Sequence, residues 1–330
     1  MKYSFRFSSN YFASIFGVLC LAAVHANASE KITLAQNLSP ISGVTIVAKA
    51  QGFFEKEGLD VEVRNLTSGK LALDAVLGGA ADFGTVAETP LMRAGLANQP
   101  VAIIATMESS DNDVKLIVRT DRGINSIKDL KGKKVATFIG TSAQFFLVKA
   151  LETQGLTPSD LSLLNLRPED MSTALYRGDI DGYAIWEPNV YKGKTLLGAK
   201  AKILPTKDIY VETFNIAVMK EYLKKNPEVV HHFLKALLDA ETYIKAHPVE
   251  AEALISKATG MDVKLFSEIR PDFHYRVALE PSLLKYINEE AQWDISTGKA
   301  KPGSDYKSLL KGMIVADPLR SLAPDRIVGY

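Results

Sequence analysis

KKVATFIGTSAQFFLVKALETQGLTPSDLSLLNLRPEDMSTALYRGDIDGYAIWEPNV, residues 133–190, is the stretch on which the fold turns. Lys133 and Lys134 precede the apolar run Val135-Ala136-Thr137-Phe138-Ile139, which reads as a buried strand. Gly140-Thr141-Ser142 follows at once, and Phe145, Phe146, Leu147, Ala150 and Leu151 then recur at helical spacing. A strand therefore feeds a helix through a turn of small residues, with Ser142 expected at the N-cap. Such a turn presents unpaired backbone N–H groups and the positive end of a helix dipole, which suits an anion. The same three residues also make an ordinary capped helix start. A second strand–helix unit ends in Asp181-Gly182-Tyr183-Ala184-Ile185-Trp186-Glu187-Pro188.

On either side the same alternation continues. Ile32-Thr33-Leu34-Ala35 reads as a strand that ends in the loop Gln36-Asn37-Leu38-Ser39-Pro40, and a helix is expected from Gly43 to Phe54. Leu59–Val63 alternates as a half-exposed strand. Ser68-Gly69-Lys70 opens a helix that stops at Gly78-Gly79. Asp82–Val86 is the next strand, and Ala87-Glu88-Thr89-Pro90 opens another helix. Val101–Ala105 is a buried strand. Asn226-Pro227-Glu228 starts a long helix, with Asn at the cap, Pro at the first helical position, and Val230, Phe233, Leu234, Leu237 and Leu238 on the core face. Strands alternating with helices argue an α/β fold. The small and polar residues that follow each strand mark the sheet edge where open α/β folds bind ligands.

The Gly-Thr-Ser turn before an amphipathic helix, together with the Gly-x-Ala-x-Trp-Glu-Pro segment 182–188, resembles the solute-binding proteins of bacterial ABC importers. The nearest branch takes up aliphatic sulfonates, taurine, nitrate and the thiamin pyrimidine. Ala50-Gln51-Gly52-Phe53-Phe54-Glu55-Lys56-Glu57-Gly58-Leu59-Asp60-Val61 is a second match, and the likeness runs from Ile32 to about Tyr222. It implies a type II periplasmic binding fold: two lobes, each a mixed sheet flanked by helices, joined by a two-strand hinge and closing on a solute. Lobe 1 is expected to comprise residues 29–117 and 216–330, and lobe 2 residues 118–215. The cleft residues expected to meet the solute are Asn37, Ser39, Pro40, Ser68, Gly69, Glu88, Thr89, Gly140, Thr141, Ser142, Trp186, Glu187 and Phe214. The partners implied are a small-molecule solute and an ABC permease in the inner membrane. The protein is expected to act as a monomer, without cofactor, metal or nucleic acid.

Composition sets the outer limits. The 330 residues suffice for two modest cores, and 47% hydrophobic with 23% charged residues is ordinary for a globular chain. A formal charge of +1 makes no case for nucleic acid. Residues 1–28 read as a cleaved signal peptide: Lys2 and Arg6, an uncharged run from Tyr11 to Val24, then Ala26-Asn27-Ala28. Leu19 stands where a lipidated Cys20 would need a small residue. Taking Lys2 and Arg6 from 39 basic residues against 38 acidic ones leaves a mature charge of −1, and the one cysteine goes with the leader. The expected compartment is the periplasm.

Catalytic motifs do not assemble. His231, His232, His247 and His274 suit surface or packing roles; adjacent helical histidines point about 100° apart and make a poor metal pair. No His-Glu-x-x-His, Walker loop, Gly-x-Gly-x-x-Gly or Gly-x-Ser-x-Gly occurs. A related pyrimidine synthase would need cysteines that the mature chain lacks, and a transcription regulator would need a DNA-binding helix pair where the leader stands. Glu88 and Glu187 read either as helix-start acids or as acceptors for an amine on the solute. Asp111 and Asp113 read as solvated loop residues, and Lys70 as a solvated helix lysine. Of Phe138, Phe145, Tyr183, Trp186 and Phe214, Trp186 is the expected cleft wall. Arg93, Arg119 and Arg167 are candidate anion ligands without assigned positions. The expectation is a binding protein for a small polar or anionic organic solute, of the aliphatic sulfonate or taurine kind, with a pyrimidine as the alternative.

Overall fold

The computed structural model describes residues 1–4, 29–301, 303 and 305–330. The expected signal peptide, with its Cys20 and Ala26-Asn27-Ala28, falls almost wholly outside the described residues. Among the described residues eleven strands divide between two sheets. The first half of lobe 1 alternates β1 (Glu30–Asn37), α1 (Gly43–Ala50), α2 (Phe53–Lys56), β2 (Leu59–Leu66), α3 (Gly69–Leu77), β3 (Phe83–Ala87), α4 (Glu88–Leu96) and β4 (Val101–Ser110). Lobe 2 follows with β5 (Lys115–Arg119), β6 (Lys134–Thr137), α5 (Ser142–Glu152), β7 (Ser162–Asn165), α6 (Pro168–Arg177), β8 (Gly182–Ile185), α7 (Asn189–Leu197) and β9 (Ala201–Ile203). The chain returns through β10 (Glu212–Met219) and closes with α8 (Lys220–Lys225), α9 (Pro227–Ala246), α10 (Pro248–Thr259), α11 (Val263–Ile269), β11 (Phe273–Ala278), α12 (Pro281–Ser296), α13 (Tyr306–Lys311) and α14 (Asp317–Leu322).

The lobe 1 sheet runs β11-β4-β10-β3-β1-β2, and the lobe 2 sheet runs β7-β6-β8-β5-β9. Both are mixed. β1 is parallel to β2 and β3, whereas β10 is antiparallel to β3 and β4. In lobe 2, β6 is parallel to β7 and β8, and β5 is antiparallel to β8 and β9. In lobe 2 the antiparallel strand, β5, has just arrived from lobe 1; in lobe 1 the strands antiparallel to β4 are β10, which has just returned from lobe 2, and β11. The two crossings are residues 111–114 and 204–211, so β5 lies wholly in the second sheet and β10 wholly in the first. The boundaries expected after residues 117 and 215 cut through β5 and β10, and both crossings lie a few positions nearer the N-terminus.

Each lobe has its own core. In lobe 1 Phe233 of α9 stacks on Phe83 at 4.1 Å between ring centroids and on Phe54 at 5.1 Å; Val230, Leu234 and Leu237 are buried beside it, and Leu238 is half-buried. Lobe 2 buries Phe146, Leu151, Tyr183 and Ile185. Several local expectations shift by a turn. The helix expected over 43–54 breaks at Gly52, whose φ of 71° is left-handed and ends α1 before α2 begins. Strand β6 stops at Thr137, so Phe138 and Ile139 belong to the turn, and Ile139 is exposed.

Helix α12 reaches across to lobe 2. Trp293 meets Phe145 edge-on at 5.7 Å, and Arg93 of α4 donates to Gln144 of α5 at 3.3 Å while pairing with Asp294 at 2.7 Å. The Trp293–Phe145 and Arg93–Gln144 contacts join the two lobes. An aromatic pair contributes about 0.5–1.5 kcal/mol, so Trp293→Ala is expected to shift the closed-to-open ratio by roughly two- to tenfold toward open. Small-angle scattering of the ligand-free variant should show a larger radius of gyration; an unchanged curve would mean that α12 does not hold the lobes.

Candidate functional site

The lobes meet where strands end. β1 delivers Asn37, β3 delivers Ala87, β6 leads into Gly140-Thr141-Ser142, and β8 delivers Trp186. Between them lies an inner cavity of only ≈ 10 Å³, walled by Asn37, Gly69, Thr141, Ser142, Trp186 and Phe214 among the expected residues. Ile41, Lys70, Ala87, Pro90, Asp113 and Glu212 complete it. That space holds about one water molecule. A solute larger than water enters only if the hinge opens.

Local geometry explains the walls. Ser68 caps α3, accepting from the Leu71 N–H at 3.2 Å. Gly69 lets that helix start approach β3, because a Cβ there would stand 3.2 Å from the Thr85 carbonyl oxygen. Gly140, at φ 93°, turns the chain out of β6, and its N–H donates to the Gln144 side chain at 3.0 Å. The N-cap of α5 is Thr141, not Ser142: Thr141 has the extended backbone of a cap, and its hydroxyl bonds back to the Phe138 carbonyl. Ser142 is the first helical residue, and its hydroxyl faces the Glu212 carboxyl.

Other expected contacts are spent inside the protein. The Ser39 hydroxyl takes the Asn37 side-chain amide at 3.1 Å, and the Pro40 carbonyl takes the Tyr275 hydroxyl at 2.7 Å. Glu88 is fully buried and accepts from both the N–H and the hydroxyl of Thr213, at 2.7 and 2.9 Å, rather than facing the cavity. Thr89 is buried beside it. Glu187 accepts the Tyr191 N–H at 2.9 Å and lies 3.4 Å from the Lys115 ammonium. Arg119 pairs with Asp121, Arg167 precedes α6, and Lys70 pairs with Asp74 at 2.8 Å.

What the sequence reading missed is a row of buried acids along the hinge. Asp113 is not solvated but 1% exposed; Glu212 is 3% exposed, and Glu108, Glu88 and Glu290 are equally enclosed. Asp113 and Glu212 stand close enough to share a proton, as do Glu88 and Glu290. Burial, reinforced by the Glu187 carboxylate and opposed by Lys115, pushes Asp113 up to about 7. Burial pushes Glu290 up to about 8, against hydrogen bonds from Thr89 and Glu88. Glu88, Glu108 and Glu212 are raised for the same reason, burial first and neighbouring carboxylates second. A charged residue beside the apolar strand at each lobe crossing, Asp113 before β5 and Glu212 opening β10, was the available signal.

Trp186 borders a second space. Beyond it an outer vestibule of ≈ 190 Å³ lies between the lobes, with Leu38, Leu66 and Pro168 as its apolar wall and Asn65, Asn189 and Lys192 as its donors.

A putative aliphatic sulfonates-binding protein of Bacillus subtilis (strain 168) is 27% identical over 297 residues, 88% of this chain and 87% of that protein. The taurine-binding periplasmic protein of Escherichia coli (strain K12) is 31% identical over 210 residues, covering 61% of this chain and 63% of its own. Among solved structures, the alkanesulfonate-binding protein SsuA from Xanthomonas axonopodis pv. citri, bound to MOPS, superposes with a TM-score of 0.77 at 18% identity, over 87% of this chain and 98% of that one. The expected two-lobed α/β fold, with two mixed sheets flanked by helices, is the observed one. With residues 40–251 matching the family model, the chain belongs to the NMT1/THI5 like family.

Proposed function

We propose that this protein is the solute-capturing component of an ABC importer. It closes by its hinge on a small polar organic solute that carries an oxyanion, of the aliphatic sulfonate or taurine kind, and presents it to a permease in the inner membrane. The observation that carries the reading is the cleft itself: two independently cored lobes close on a polar space too small for any organic solute. Capture therefore entails opening and reclosure. The relatives named for sulfonate and taurine binding support the solute class. They also favour a binding protein over an enzyme, and a periplasmic site of action. The protein acts as a monomer, and the leader is removed after Ala28.

Of the two chemistries, the carboxyls beside Ser142 favour a taurine-like zwitterion over a plain alkylsulfonate. Small-angle scattering and calorimetry with taurine test the reading together. Binding should proceed without turnover, and the population of closed molecules should rise with ligand. A saturating ligand that left the scattering unchanged would remove hinge closure from the account.

A further inference from the structure

We propose that the deep end of the cleft is a cation site, in which Asp113 and Glu212 receive an ammonium or amidinium group while the solute's oxyanion lies outward of Trp186. This rests on the reading of the cleft as the solute site, and it fixes which end of the solute enters first.

Asp113 and Glu212 both line the inner cavity, both are more than nine-tenths buried, and each has an oxygen, Oδ2 and Oε2, that meets no donor among the described residues apart from the proton the two carboxyls can share. Buried acceptors left open in this way belong to a donor that arrives. Features that would draw an anion to the same spot are already used. The start of α5 and the Ser142 hydroxyl face Glu212, itself an anion when ionised. Lys115 lies against Glu187, Lys70 against Asp74 and Arg93 against Asp294. Glu88 and Glu108 stand behind the pair, with Glu290 beyond Glu88, and none of them brings a cation to it. Among the described residues no three His, Cys, Asp or Glu side chains are placed to hold a metal ion, so the cation is organic. Outward of Trp186 the vestibule offers Lys192 and Asn65 to an oxyanion, with Glu169 also in its lining, and Leu38, Leu66 and Pro168 to a carbon spacer.

Proton balance gives the proposal a sign. With no ammonium bound, the pair holds one proton between two carboxyls. An ammonium donates N–H bonds to both oxygens, and the displaced proton passes to solvent. Amine binding therefore releases a proton and strengthens as pH rises through neutrality, whereas a plain sulfonate placed against the same carboxyls would take up protons and bind better as pH falls.

The test is calorimetry of the purified protein with taurine, ethanesulfonate, ethylammonium and benzamidinium, in two buffers of different ionisation heat between pH 6 and 8. Taurine should bind at least roughly tenfold tighter than ethanesulfonate, with proton release. Glu212→Gln should cost taurine roughly ten- to a hundredfold and leave ethanesulfonate no weaker. The variant should melt no lower than wild type, which separates lost recognition from lost folding. Ethanesulfonate matching taurine, or proton uptake on binding, overturns the cation site and leaves the cleft reading standing. Absence of binding by all four probes, with tryptophan fluorescence unmoved, counts against both.

Discussion

Lys115→Met should destabilise the protein by about 3–5 kcal/mol at pH 8, the largest effect expected of any single substitution here. Lys115 is the one buried lysine among the described residues, at 6% exposure, and it sits on the first strand after the lobe crossing. Its ammonium lies 3.4 Å from Glu187, whose backbone N–H in turn donates to Asp113. Removing it leaves Glu187 and Asp113 buried with no cation between them, and an uncompensated buried charge is worth far more than an exposed pair. Lys115 also holds the Asp113 carboxyl down, so its loss lets that group rise above about 7. At pH 5 Asp113 is already protonated, and the penalty should be smaller there. Urea unfolding of wild type and variant at pH 5 and 8 measures both numbers. The double variant Lys115→Met with Glu187→Gln should recover much of the loss, because it removes the stranded charge along with its partner. A penalty below about 1 kcal/mol, or one equal at both pH values, would mean that the carboxylates are hydrated and not buried.

Wild-type stability itself should fall as pH rises from 5 to 8, by on the order of 3–6 kcal/mol. Asp113 goes from an unfolded value of 3.8 to about 7 on folding, and Glu290 from 4.5 to about 8. A carboxyl whose value is raised in the folded state binds more protons folded than unfolded across that interval. Its folding is therefore unpenalised below the unfolded value and loses stability as pH climbs through the folded one. Glu88, Glu108 and Glu212 act in the same direction. Glu57, Glu241 and Asp121 act oppositely: hydrogen bonds and ion pairs hold them down, so their contribution is present above about pH 4 and disappears in stronger acid. The optimum should lie near pH 4–5. Chemical denaturation across pH 4–8 gives the curve, and Glu290→Gln should flatten its upper half. A profile that is level or rising between pH 5 and 8 would contradict the burial of the carboxyl row.

The sequence by itself determined the parts of this protein whose causes lie within one turn or one strand of the chain. Gly140-Thr141-Ser142 between an apolar run and a helical period could only be a strand–turn–helix, and the structure moved its cap by one residue, from Ser142 to Thr141. Ser68 and Pro227 marked helix starts, and both helices begin there, because capping and the fixed φ of proline act over three or four residues. Alternation of strands and helices was enough for an α/β fold, and the Trp-Glu-Pro segment, through the family it resembles, implied the two lobes. The tertiary structure alone decided where the acids go. Asp113 and Asp111 are both acids in one loop, two positions apart, yet Asp113 is buried and Asp111 only partly so, because β10 returns from lobe 2 and sets Glu212 beside Asp113. Glu88 and Glu290, some two hundred positions apart, meet because α12 packs on α4. Trp186 was legible as an aromatic near a strand end, but its place between the inner cavity and the vestibule depends on both lobes at once. A side chain's burial and charge state are set by whatever packs against it, and in a chain that crosses twice between lobes those neighbours come from segments that no local pattern connects.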